Sequence, residues 1–398
     1  MGKQPFNNLI DMGKYDSILT AIRRIQKQEK GFLPLHAPVF IGNEKKYLNE
    51  CIDSTFVSSV GKFVNEFEDK IAKYTAVKKA VACVNGTAAL HLALLLAGVN
   101  KEDEVVTQAL SFVATANAIS YCGAKAVFLD VDNESLGLCP IALRKWLNTN
   151  AIIKDNNSYN RKSGRKISAC VPMHSFGHPC KIDEIITICE EYNIPVIEDA
   201  AESLGSFYKG KHTGSYGKIG VLSFNGNKTI TCGGGGMLLF NDENLAKRAK
   251  HLSTQAKTNH PWEFIHDEIG FNYRMPNINA ALGLAQIENI DYYLKSKRKT
   301  AKAYQKLFAN TKIKFVQEPQ FSKSNYWLNS ILFEDKNQRD GFLAEANKSG
   351  VMCRPAWNLI TTLPMFMNCE SDTLKNAKNI ADTLVNIPSN VVVNKKQS

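Results

Sequence analysis

No Cys-x-x-Cys pair occurs in this chain of 398 residues, although it holds ten cysteines: Cys51, Cys83, Cys122, Cys139, Cys170, Cys180, Cys189, Cys232, Cys353 and Cys369. Several lie inside apolar runs, so reduced core thiols fit the pattern better than a disulfide framework. No apolar run approaches the roughly 18 residues of a spanning helix. The polar N-terminus lacks a signal-peptide core. Met1-Gly2 opens like a myristoylation site, but Phe6 stands where Ser or Thr is needed. The expectation is a cytoplasmic protein with no membrane attachment. Nucleotide fingerprints are absent too: there is no Gly-x-Gly-x-x-Gly and no Gly-x4-Gly-Lys-Ser/Thr. The net charge of +11 comes from scattered lysines without a helix-turn-helix, finger or RNP pattern. That favours an anionic small substrate over a nucleic-acid partner.

What is present is an ordinary globular composition, 44% hydrophobic and 22% charged, long enough for two domains. Residues 1–32 read as a helical extension, with Ile18, Ile22 and Ile25 at helical spacing. From residue 78, short apolar strands alternate with helical stretches. The strands are expected at Ala80–Val84, Glu104–Thr107, Ala126–Leu129, Ala169–Pro172, Pro195–Glu198 and Gly220–Phe224. Such alternation predicts an α/β domain with a mostly parallel sheet covered on both faces, residues 33–260. The polar stretch Asn148 to Lys166 reads as a mobile surface loop. Helical segments dominate the rest, with a strand at Trp327–Phe333 and a last helix near Ser371–Leu384. Residues 261–398 therefore read as a smaller α+β domain.

The chemistry collects around Ser223-Phe224-Asn225-Gly226-Asn227-Lys228 and the glycines Gly233, Gly234, Gly235 and Gly236. A lysine in a loop between two buried strands suits an imine-forming amine, because desolvation leaves more of it unprotonated. The plain alternative is a surface lysine beside a glycine turn. In parallel α/β sheets, ligands bind beyond the carboxyl ends of the strands. There stand Asn85-Gly86-Thr87, a helix start suited to a phosphate or an ordinary N-cap; Asp199, an acid ending a buried strand; and Phe112. Lysine, acid, ring and phosphate nest together match the needs of pyridoxal phosphate. His174, His178 and Cys180 have metal-ligand spacing, but without a second cluster no metal is expected. His174 fits better as part of a loop near the cofactor and substrate.

These residues resemble the DegT/DnrJ family of pyridoxal phosphate-dependent sugar aminotransferases. The marks are Asn85-Gly86-Thr87-Ala88-Ala89-Leu90, Ser111-Phe112-Val113-Ala114-Thr115, Asp130-Val131-Asp132, Glu198-Asp199-Ala200-Ala201, Ser223-Phe224-x3-Lys228 and Gly270-Phe271-Asn272-Tyr273-Arg274-Met275. The resemblance implies fold type I, the aspartate-aminotransferase type. It implies Lys228 as Schiff-base lysine and proton shuttle, with pyridoxamine phosphate as the intermediate cofactor form. Asp199 would pair with the pyridine nitrogen and Phe112 would stack on the ring. Gly86, Thr87, the Ala88 amide and Ser223 would hold the phosphate. Asn272 would reach the phosphate of a neighbouring subunit, which implies a homodimer with shared sites. Two positions depart from the pattern. Glu202 stands near the cofactor's phenolic oxygen, where the family often has Gln or His, and a carboxylate there would repel a phenolate. Gly233–Gly236 replaces a Gly-Glu-Gly-Gly turn.

Leu33-Pro34-Leu35-His36-Ala37-Pro38-Val39-Phe40-Ile41-Gly42-Asn43-Glu44, with Ser58-Ser59-Val60-Gly61 and Arg354-Pro355-x-Trp357, is similar to the legionaminic-acid and bacillosamine subgroup. This implies transfer of an amino group from L-glutamate to C4 of a UDP- or GDP-linked 2-acetamido-2,6-dideoxy-hexos-4-ulose. Arg354, Trp357 and Trp327 are candidate substrate contacts, with packing of the smaller domain as the alternative reading of each. The alternatives are a 3- or 4-aminotransferase for another nucleotide sugar and a non-catalytic binding protein of the same fold. A sugar dehydratase of the fold would carry another residue in place of Lys228.

Overall fold

The computed structural model describes residues 13–393. The expected extension is a helix at Asp16–Ile25, and its residues 1–12 lie outside the described residues. Seven strands build the large sheet: β1 (Lys79–Cys83), β2 (Glu104–Gln108), β3 (Lys125–Leu129), β4 (Ile167–Val171), β5 (Ile197–Asp199), β6 (Ile219–Ser223) and β7 (Gly236–Phe240). β1-β7-β6-β5 and β4-β2-β3 are joined through the parallel bridges Cys170–Val196 and Met173–Asp199. The strands run parallel except β7, which inserts antiparallel between β1 and β6. Both faces are covered by apolar clusters, so these strands read as continuous apolar runs rather than alternating ones.

The antiparallel β7 is what the glycine run makes possible. A Cβ on Gly236 would stand 2.4 Å from the Asn85 carbonyl oxygen and 2.8 Å from the Gly86 nitrogen. Only a glycine lets this strand pass so close to the start of the helix Gly86–Leu96. Gly233, at φ +80°, makes the turn that precedes it.

The stretch expected to be a mobile loop is instead ordered around a hairpin, Ala151–Lys154 paired with Asn157–Asn160. Asp155 and Asn156 both have positive φ, the conformation that closes a two-residue hairpin without splaying its strands. Asn160 and Ser163 then hydrogen-bond to the buried Glu104 at 2.8 and 2.6 Å, which pins the insert to the sheet.

After the large sheet, the helix Asn277–Ile287 packs its Ala280, Ala281 and Leu284 against Phe67 and Phe224. A second sheet follows in the order Lys314–Phe315, Asn329–Leu332, Leu384–Ile387 and Arg354–Pro355, all antiparallel. The expected last helix is shorter, Lys375–Thr383, and is followed by the strand Leu384–Ile387. Asp130 sets its start by accepting the Asn376 and Ala377 amides, satisfying two first-turn donors. The helix Asp16–Ile25 buries Leu19 and Ile22 in one cluster with Tyr304, Phe308, Ile331 and Phe342. No helix among the described residues is long and apolar enough to cross a membrane.

Candidate active site

β1, β5 and β6 end at one edge of the sheet, and the residues that follow them enclose a cavity of about 340 Å³. Asn85 leaves β1 in extended conformation and caps the helix Gly86–Leu96, its Oδ1 accepting the Ala88 amide at 2.8 Å. That cap occupies the Ala88 N–H expected to serve a phosphate. Gly86 and Thr87 line the cavity, joined by Ser223 at the end of β6. The approach of β6 to the helix is tight, since a Cβ on Gly86 would lie 3.0 Å from the Ser223 Cβ. The arrangement is a backbone cradle at a helix N-terminus with two hydroxyls, suited to a phosphate.

Asp199 ends β5 and is only 3% exposed. Burial pushes its pKa up, while the Thr115 hydroxyl at 2.7 Å, the Ala201 amide at 3.2 Å and the charge of Lys228 oppose that rise. A carboxylate so placed can hold a protonated ring nitrogen. Phe112, half exposed at 49%, immediately precedes the helix Val113–Tyr121 and lines the same cavity. Trp357 stacks on Phe176, with ring centroids 4.6 Å apart, and forms another wall.

Lys228 lies in the loop between β6 and β7, its side chain 13% exposed. Nζ is 3.1 Å from Glu202 Oε1 and 4.0 Å from the centre of the Trp327 ring. The Trp327 indole N–H donates to the Asn227 carbonyl at 2.6 Å, so the ring is fastened to the loop that carries Lys228. Burial raises the pKa of Glu202, against the attraction of Lys228. A larger cleft of about 790 Å³ runs between Lys125 and Phe366, but it contains none of these groups.

Lys228, Asp199, Glu202, Phe112, Gly86, Thr87, Ser223, Trp327 and Trp357 thus share one cavity. His174, Arg354 and Asn272 do not line it. His174 is completely buried; the Cys180 amide donates to its Nδ1 at 3.1 Å and its Nε2 lies 3.0 Å from Glu198. With Nδ1 accepting, the ring proton sits on Nε2, and the imidazole is a satisfied core group. His178 turns to Ser324 at 2.9 Å. Among the described residues, the groups that could hold a metal ion do not include this trio. Arg354 reaches Asn347 and the Cys353 carbonyl at the far end of the second sheet, because the short strand Arg354–Pro355 leaves it exposed. Asn272 bridges Thr254 through its backbone.

His36 is a half-buried residue that sequence reasoning missed. Both of its ring nitrogens are buried and without a hydrogen-bond partner. Burial, then the charge of Lys297, with a smaller contribution from Lys228, holds its pKa well below the usual value. Nothing in the sequence around it signals that placement.

The model of the DegT/DnrJ/EryC1/StrS aminotransferase family matches residues 40–398. A GDP-perosamine synthase of Escherichia coli O157:H7 is 39% identical over 335 residues, 84% of this chain and 87% of its own. One from Vibrio cholerae is 34% identical over 360 residues, 90% of this chain and 94% of its own. Both of these relatives carry the GDP-perosamine name rather than one of the legionaminic-acid or bacillosamine subgroup. An aminotransferase structure from Psychrobacter cryohalolentis superposes with a TM-score of 0.80 at 26% identity, covering 92% of this chain and 96% of the other. The aminotransferase TlmJ of Streptoalloteichus hindustanus superposes with a TM-score of 0.82 at 25% identity, with the same coverage.

Proposed function

This chain belongs to the DegT/DnrJ/EryC1/StrS aminotransferase family and is a pyridoxal phosphate-dependent transaminase of fold type I that acts on nucleotide sugars; from that premise we propose that it carries the amino group of L-glutamate to C4 of a nucleotide-linked 4-keto-6-deoxyhexose. The supporting observation is that Lys228, Asp199 and the hydroxyl residues Thr87 and Ser223 line one cavity at the carboxyl edge of the sheet. When bound, the cofactor supplies the electron sink that lets a C–H bond beside nitrogen break.

The chain's own residues do the rest. Gly86, Thr87 and Ser223 hold the phosphate, which anchors the ring. Asp199 would keep the ring nitrogen protonated, and the Thr115 hydroxyl favours the ionised form of Asp199 against the burial that raises its pKa. Phe112 covers the ring face. Lys228 Nζ takes the proton from the donor's Cα and later returns one to sugar C4. Trp327 and Trp357 exclude water around it and offer faces to the sugar. The relatives' name supports a GDP-linked sugar aminated at C4; the segment Leu33–Glu44 favours a 2-acetamido sugar linked to UDP or GDP.

We read the working unit as a homodimer. Asn272 follows a loop whose Trp262, Phe264 and Ile269 are 78–87% exposed, an apolar patch that suits a second copy. Sedimentation of the purified chain at the monomer mass would refute it.

Mass spectrometry of reactions with L-glutamate and GDP- or UDP-linked 4-keto-6-deoxyhexoses, with and without the 2-acetamido group, tests the substrate. The expected result is one 4-amino product together with 2-oxoglutarate, lost in Lys228→Ala. A protein that deaminates glutamate yet converts none of these sugars refutes the C4 assignment.

A further inference from the structure

Glu202 shares the cavity with Asp199 but has no task in the scheme above. It is 2% exposed and is held on both oxygens: Oε1 lies 3.1 Å from Lys228 Nζ, and Oε2 accepts the Phe176 amide at 2.8 Å. Phe176 presents that amide from a left-handed backbone, φ +56°, which a bulky residue adopts only under constraint. Asn325 Nδ2 fixes the turn below, donating to the Glu202 and Leu204 carbonyls at 2.9 Å each. The carboxylate is therefore built into place.

An ammonium does not attack a carbonyl; Lys228 has to lose a proton first. Among the described residues, Glu202 is the side chain that hydrogen-bonds Lys228 Nζ. We propose that Glu202 is the proton acceptor that turns Lys228 into the free amine. The N–H bond of the Lys228 ammonium breaks, an O–H bond forms on Glu202, and an ion pair becomes a neutral amine beside a neutral acid. Charge is conserved and no further reactant is needed. Burial assists, since desolvation penalises two charges and spares the neutral pair. The proposal rests on Lys228 being the carbonyl-capturing lysine. It also removes the repulsion expected of Glu202, because the acid form donates a hydrogen bond where the carboxylate would repel a phenolate.

The test uses the full-length protein stripped of cofactor and free pyridoxal, which lacks the phosphate. Adduct at Lys228 is trapped with borohydride, mapped by mass spectrometry and timed from about pH 6 to about pH 8. A pair that shares one proton holds a constant fraction of free amine between its two titration steps. The wild-type rate is thus expected to be flat over that range, while Glu202→Gln rises about tenfold per pH unit, as a lone amine does below its pKa. A wild-type rate that climbs tenfold per unit overturns the proposal, whether or not the variant folds. So does a flat rate that survives in Glu202→Gln. Absence of any Lys228 adduct in the wild type overturns the carbonyl-capturing reading itself and this proposal with it, a result distinct from both.

Discussion

Lys297 is fully buried, and burial lowers its pKa from 10.5 to about 7. Its Nζ donates to the carbonyls of Trp327 at 3.1 Å and Ser389 at 2.8 Å. A lysine that is charged when unfolded and mostly neutral when folded makes stability depend on pH. Below pH 7 both states are protonated, and the folded state carries the full burial cost, roughly 5 kcal/mol at about 1.4 kcal/mol per pH unit. Between pH 7 and 10.5 the unfolded chain binds more protons than the folded one, so this group's contribution improves as pH rises. Lys297→Met removes the amine and keeps most of the volume. It leaves the two carbonyls without that donor, a pH-independent loss of about 1–3 kcal/mol for each group left unsatisfied. The difference in unfolding free energy, wild type minus variant, is therefore expected to grow by roughly 2–3 kcal/mol from pH 7 to pH 9. Urea titrations of both cofactor-free proteins at closely spaced pH values measure it. A difference that stays level or falls across that window refutes the assignment of a neutral buried amine to Lys297.

Two other perturbations follow from the site's geometry. Thr115→Val removes the 2.7 Å bond to the Asp199 carboxylate; loss of a bond to a charged group, about 1.5–3 kcal/mol, should raise the acid limb of the pH–rate profile by about one to two pH units, and an unmoved limb counts against Asp199 as the ring-nitrogen partner. Gly236→Ala sets a methyl 2.4 Å from the backbone oxygen of Asn85; because no flexible side chain can yield, a loss of at least about 3 kcal/mol in stability is expected, with phosphate-group affinity falling too, and a wild-type melting curve would contradict the close packing described.

Much of the large sheet could be read from the sequence, because strands covered on both faces must be apolar throughout and their ends must be punctuated by polar or glycine residues. That is why Asp199, Asn85-Gly86-Thr87 and Lys228 stood out. The reading failed where the deciding contacts come from side-chain pairings that the apolar pattern does not encode. His174 follows β4 closely, at the edge where the site forms, yet Glu198 and the Cys180 amide draw it into the core. Arg354 is fixed by Asn347, not by the cavity. The antiparallel direction of β7 cannot be inferred from four apolar residues. The hairpin after Asn150 was signalled by Asp155-Asn156, a pair that tolerates positive φ, but the polar composition around it masked the signal.

The lysine loop is held largely by residues far along the chain from it. Trp327 bonds to the Asn227 carbonyl and lies under Lys228, and Asn325 bonds to the Glu202 carbonyl, the Leu204 carbonyl and the Thr229 hydroxyl. Lys297, on the helix Ile290–Phe308, steadies the Trp327 carbonyl from behind. Gly177, at φ +95°, clears the way, since a Cβ there would collide with Asn325 Oδ1. The large sheet alone supplies the acid, the phosphate cradle and the lysine. The position of the lysine's amine, between an acid that can take its proton and an indole that shields it, depends on the segment 324–327. The reactive geometry of Lys228 is therefore a product of these long-range contacts, and substitutions at Asn325 or Trp327 act on the chemistry at Lys228 through them.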